Sequence, residues 1–133
     1  MVWRRSTLKK FTAAAIGVIS LFFVACGPAT TWSMEVRSPD GLWIAKALSQ
    51  QWSGPGNAYD ATTVYLRRTK GPQSPIEILG FSHEYATMDL KMEWISPTHL
   101  NVMYGESKRP DDHVSLDFQA IKCAGIEISA QHL

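Results

Sequence analysis

Cysteine is scarce: Cys26 and Cys123 are the only two in 133 residues. That excludes a small scaffold stapled by several disulfides. The chain has no Gly-x-Ser-x-Gly elbow, and Gly54-Pro55-Gly56 lacks the Lys-Ser or Lys-Thr that a phosphate-cradling loop needs. Metal-ligand spacing is missing as well. His83-Glu84 has no further His behind it until His99, so the two-histidine face of a zinc-protease helix cannot form. His83, His99 and His113 include no His-x-His pair, and Asp111-Asp112 lacks the alternating oxygens and turn glycine of a calcium loop. No catalytic residue, metal or cofactor is expected, and an enzyme would need its residues scattered through the fold.

Acidic residues are absent before Glu35. What stands there instead is Arg4, Arg5, Lys9 and Lys10, followed by an apolar run from Phe11 to Ala25. A positive segment, a short apolar segment and small residues at its end are the physical signature of an export signal. The cations stay on the cytoplasmic face while the run enters the translocon, which fixes orientation. As a helix the run spans about 22 Å. A bilayer core is about 30 Å thick, so the run is short for a permanent span.

The run ends in Val24-Ala25-Cys26-Gly27, which resembles the lipobox of bacterial lipoproteins, with Phe23 where that family usually has Leu. The resemblance implies that the Cys26 sulfur takes a diacylglycerol and that the signal is removed, leaving Cys26 first. Two or more acyl chains anchor stably, at about 0.8 kcal/mol per buried methylene. The implied division is a signal over residues 1–25, a lipidated cysteine and tether over 26–33, and a domain over 34–133. Its location would be the cell envelope, membrane-anchored and facing the periplasm or exterior. Two other outcomes stay open: a retained signal anchor, or a Cys26–Cys123 disulfide in place of the lipid.

Once the signal is gone, 108 residues remain, enough for one domain with one core. Loss of Arg4, Arg5, Lys9 and Lys10 leaves nine basic against 12 acidic residues, a net charge of −3. Nucleic acid, which demands a basic face, is a poor partner for such a domain.

After the signal the periodicity is that of strands. Met88, Leu90, Met92 and Trp94 alternate with Asp89, Lys91 and Glu93, and beyond Ser96-Pro97-Thr98 the residues Leu100, Val102 and Tyr104 resume the pattern, a hairpin. Val114, Leu116 and Phe118 alternate likewise, with a slip at Ala120-Ile121 that predicts a bulge or bend. Ile126 and Ile128 close the chain as a last strand, Thr62–Thr69 and Ile76–Leu79 read as further strands, and Gln50–Ala61 and Phe81–Thr87 read as loops. Met34–Arg37, Ser38-Pro39-Asp40-Gly41 and Leu42–Leu48 read as strand, turn and strand, because proline presets the turn and Asp-Gly supplies the positive φ. The Ser-Pro-Asp-Gly stretch also resembles the turn of TolB-like propeller blades. A propeller needs at least about four blades of forty residues, so only the hairpin carries over. The expected fold is all-β, a single small antiparallel sandwich or partly open barrel of about seven strands after an N-terminal signal helix.

Three residues are candidates for binding. Trp52 falls in a polar stretch, where an exposed aromatic marks a contact surface. Arg67 and Arg68, with Lys70, form a basic spot able to meet anionic headgroups beside the anchor. Trp43 and Trp94 belong to apolar faces, and Cys123 to a strand as a small buried hydrophobe. The expected partners are the membrane, through a lipid on Cys26, and another envelope protein.

Overall fold

The alternating runs become strands in the computed structural model, which describes residues 28–53, 59–83, 88–107 and 112–133. Cys26 and the apolar run expected as a signal lie outside the described residues. The strands are β1 (Ala29–Arg37), β2 (Trp43–Trp52), β3 (Tyr59–Arg68), β4 (Ile76–His83), β5 (Asp89–Ser96), β6 (His99–Gly105), β7 (Val114–Gln119), β8 (Lys122–Cys123) and β9 (Ile126–His132). They form a five-stranded sheet, β1-β2-β3-β4-β7, and a four-stranded sheet, β5-β6-β9-β8. Neither sheet closes on itself, so the molecule is all-β and open-edged. Among the described residues no helix is long and apolar enough to cross a membrane.

The core takes one phase of the alternation in most strands, with Ile78 and Leu79 of β4 both buried where the β3–β4 register shifts. The five-stranded sheet contributes Ala45, Ala47, Val64, Leu66, Leu79 and Phe81; the four-stranded sheet contributes Leu90, Met92, Leu100, Val102, Ile126 and Ile128. The alanines lie on β2, which is flanked on both sides by paired strands. Burial of an apolar side chain contributes about 1.5–3 kcal/mol, so these rows set the register of every strand. Trp94 ties the sheets at one corner by donating its indole N–H to the Val36 carbonyl at 3.2 Å.

Three boundaries differ from the sequence reading. β1 begins at Ala29, so Ala29–Ser33, expected as tether, are strand. Their polar composition belongs to an edge strand: Trp32 packs on the core, while Thr31 is exposed and donates its hydroxyl to the Ser49 carbonyl at 3.3 Å. Both ends of the stretch read as the loop Gln50–Ala61 are ladder, since β2 runs to Trp52 and β3 starts at Tyr59. Phe81–His83 likewise extends β4 instead of opening a loop.

The slip at Ala120-Ile121 is where the chain leaves β7 in one sheet for β8 in the other. A turn then joins β8 to β9 with positive φ at both Ala124 (52°) and Gly125 (81°), the two-residue hairpin geometry. This crossing lets β9 lie parallel to β6, the single departure from an antiparallel arrangement among the described pairings. A parallel pair needs a connection of a dozen residues or more, and β7, β8 and their loops supply it. Polar side chains lace the outer face of the pair. His99 meets Ser129 at 3.0 Å, Ser129 donates to the Asn101 oxygen at 2.8 Å, and the Asn101 amide donates to Gln131 at 3.1 Å.

Candidate functional site

Trp52 ends β2 beside the start of β3, while Arg67 and Arg68 end β3, so the structure separates the sequence-predicted binding residues. Trp52 pairs with Tyr59 across the ends of β2 and β3, whereas Arg67 and Arg68 close β3 opposite Ile44 and Trp43. An extended strand of that length puts the two groups about 30 Å apart. They do not form one site.

At the first end Trp52 and Tyr59 are 41% and 51% exposed, with ring planes 9° apart and centroids separated by 6.2 Å. Cross-strand neighbours stand close enough for such a stack, and it costs little entropy because each ring has only two torsions. The result is a pair of nearly parallel, solvent-facing aromatic rings.

Directly inside that surface lies a buried polar row that the sequence reading missed. Ser49 and Thr62 share a hydroxyl–hydroxyl bond of 2.6 Å, and Thr62 Oγ1 meets His83 Nε2 at 2.8 Å, donating or accepting according to the imidazole tautomer. Asp60 stands in register with His83 on the neighbouring strand and is buried. Asp112 is buried and accepts the Ser107 N–H at 2.5 Å. Burial pushes the Asp112 carboxyl up, but the Ser107 hydroxyl and N–H, the His113 N–H and the charge on His83 bring it below its ordinary value. Asp60 Oδ1 and Asp112 Oδ1 meet no donor among the described residues. The signal for this row was present: Asp60 and Thr62 share the inward phase of Val64 and Leu66, and His83 that of Phe81.

A hydroxyl, an imidazole and a carboxylate in sequence are the parts of a nucleophilic site. Here Thr62 is 0% exposed and its hydroxyl is shared with Ser49, so in this conformation no substrate carbonyl reaches it. The row acts as a polar seam that fixes the register of β2, β3 and β4. Two cavities of about 260 Å³ flank it, one lined by Trp32, Ser49, Met88, Asp89 and Leu90, the other by Ser82, His83, His113, Val114 and Ser115. Both fall below the roughly 300–1,000 Å³ of ordinary ligand pockets. Among the described residues no three of His, Cys, Asp and Glu gather as a metal centre.

At the other end the Ser38–Gly41 turn is built as its sequence dictates. The Gly41 N–H reaches the Ser38 carbonyl at 2.9 Å with φ 74° at Gly41. Asp40 accepts from the Ser38 hydroxyl at 2.6 Å and the Leu42 N–H at 3.1 Å, and these bonds hold its carboxyl below the ordinary range. The Arg68 guanidinium lies 4.7 Å over the buried Trp43 ring, and Arg67 approaches Glu35 at 3.8 Å. Arg37, Asp40, Leu42, Arg68 and Lys70 surround an open cavity of about 540 Å³, inside the ligand-pocket range. Cys123 is half-buried against the core.

Comparison with protein-family models, with curated proteins and with solved structures finds no match. Function is therefore argued from this chain alone.

Proposed function

We propose that this chain is a non-catalytic envelope lipoprotein. Lipid on Cys26 holds the β head at a membrane surface, facing the periplasm or exterior, and the head binds another envelope component. The observation that carries the reading is Val24-Ala25-Cys26 at the end of an apolar run that follows four cations. The start of β1 at Ala29 is compatible with it, since the first described strand opens three residues beyond the cysteine that would become the first. Supporting the binding half is the far-end cavity, where Arg37, Arg68 and Lys70 gather beside the exposed Leu42. Guanidinium groups next to an apolar side chain suit an acidic protein surface.

Metabolic labelling with a palmitate analogue tests the anchor. The wild-type chain takes up label, and Cys26→Ser abolishes it. An unlabelled wild-type chain with an intact N-terminus by mass spectrometry would instead establish a single-pass signal anchor. A photo-crosslinking residue at position 42 tests the binding half in intact envelopes. Discrete protein adducts that vanish with Arg68→Glu are expected, and adducts unaffected by that change reject the far-end surface.

A further inference from the structure

We infer that the Trp52–Tyr59 stack rests on the interfacial zone of the bilayer that the lipid on Cys26 enters, so that the head sits in one orientation. The inference deepens the anchored reading and rests on it. Register decides which end of the head faces the membrane. Ala29 lies opposite Gln51, and the next position of β2 is Trp52, paired with Tyr59. The chain from Cys26 to Ala29 reaches at most about 10 Å even when fully extended. Had the tether run to Ser33, the slack would have been about 25 Å and either end could have turned to the surface. With strand pairing already under way at Ala29, the aromatic end is the one the anchor holds down.

The chemistry of that end suits its place. Trp and Tyr join an apolar ring to one polar N–H or O–H, the combination that settles at headgroup level between water and hydrocarbon. Both rings are about half exposed and nearly parallel, so they present one rigid face. Neither ring carries a charge, so their docking needs no anionic lipid. Arg67 and Arg68 stand at the other end of β3, and the basic cavity that Arg68 lines lies away from the same membrane. Headgroup contact by those arginines is thereby replaced by contact through the aromatic pair.

The test uses the full processed chain in vesicles of phosphatidylcholine brominated high on its acyl chains, with unbrominated vesicles as reference. Mass spectrometry first establishes that Cys26 carries lipid. Emission from Trp52 is taken as the difference between wild type and Trp52→Phe, a change that preserves a ring against Tyr59. Bromine lowers that difference by about twofold or more if the indole sits at the interface. Unquenched Trp52 on a chain whose Cys26 is lipidated overturns this inference and leaves the anchor standing. A chain without lipid on Cys26 overturns the anchor itself, and the inference with it. Quenching that appears only after anionic lipid is added assigns docking to charge and also overturns it. So does emission indifferent to bromine yet shielded from aqueous acrylamide, which means that a second copy covers the rings.

Discussion

At the end of the five-stranded sheet where β1 begins, polar side chains are buried and aromatic ones exposed. Where β1 finishes, charged side chains are solvated and an aromatic, Trp43, lies buried beneath Arg68. The two ends share the same three strands and nearly the same hydrogen-bond lengths, yet removing a bond has different consequences at each. At the first end water cannot replace the lost partner of Thr62. At the second it replaces the lost partner of Thr69 at once. Location, more than bond length, sets the energetic worth of these contacts.

The largest expected effect sharpens that contrast. Thr62→Val removes the buried bonds of Thr62 Oγ1 with Ser49 Oγ and His83 Nε2 and destabilises the fold by about 2 kcal/mol, read from urea midpoints. Thr69→Val removes the bond from Thr69 Oγ1 to the Gly41 carbonyl and costs no more than about 0.5 kcal/mol. Equal costs for the two substitutions would erase the distinction between the ends.

Acid should act on the same contrast. Asp112 is lowered in the folded state, and Glu106 is lowered chiefly by its hydrogen bond from His132. A carboxylate depressed on folding adds stability above its unfolded value and loses it as pH falls through the folded one. Stability is therefore full near neutrality and declines in the acid range. In the Asp112→Asn variant the decline is shallower, measured by denaturant midpoints at a series of pH values. An unchanged slope removes Asp112 from the account.

Smaller effects belong to the charged end. Arg68→Ala costs about 0.5–1 kcal/mol through the lost contact with Trp43, whereas Arg68→Lys retains part of it. A cost above that of Thr62→Val would show the basic end to be the better-tied one. Glu35→Gln loosens the exposed pair with Arg67 and shifts stability by less than about 0.5 kcal/mol, an effect that disappears in high salt.

Hairpins were legible because both the alternation and the turn are local. Ser38-Pro39-Asp40-Gly41 specifies its own hydrogen bonds, and Met88 to Tyr104 writes its two faces in period two. Less legible were segments where a polar residue occupies an inward phase. Asp60 and His83 read as loop, and Thr62 only as the first residue of a strand, because composition alone does not reveal a partner on another strand. Ala29–Ser33 read as tether for a related reason, since an edge strand needs only one apolar row and can be polar elsewhere.

The amino-acid order by itself determined the strand-forming runs, the turns between them and the charged, apolar, cysteine-ended pattern of the first 26 residues, because each depends on neighbours within a few positions. Tertiary structure alone decided that β9 lies parallel to β6, that Trp52 and Arg67 occupy opposite ends, and that a serine, a threonine and a histidine close one row inside the sheet. Those outcomes depend on register between distant strands. Register is chosen by the burial of whole apolar rows at once, a quantity no local stretch contains.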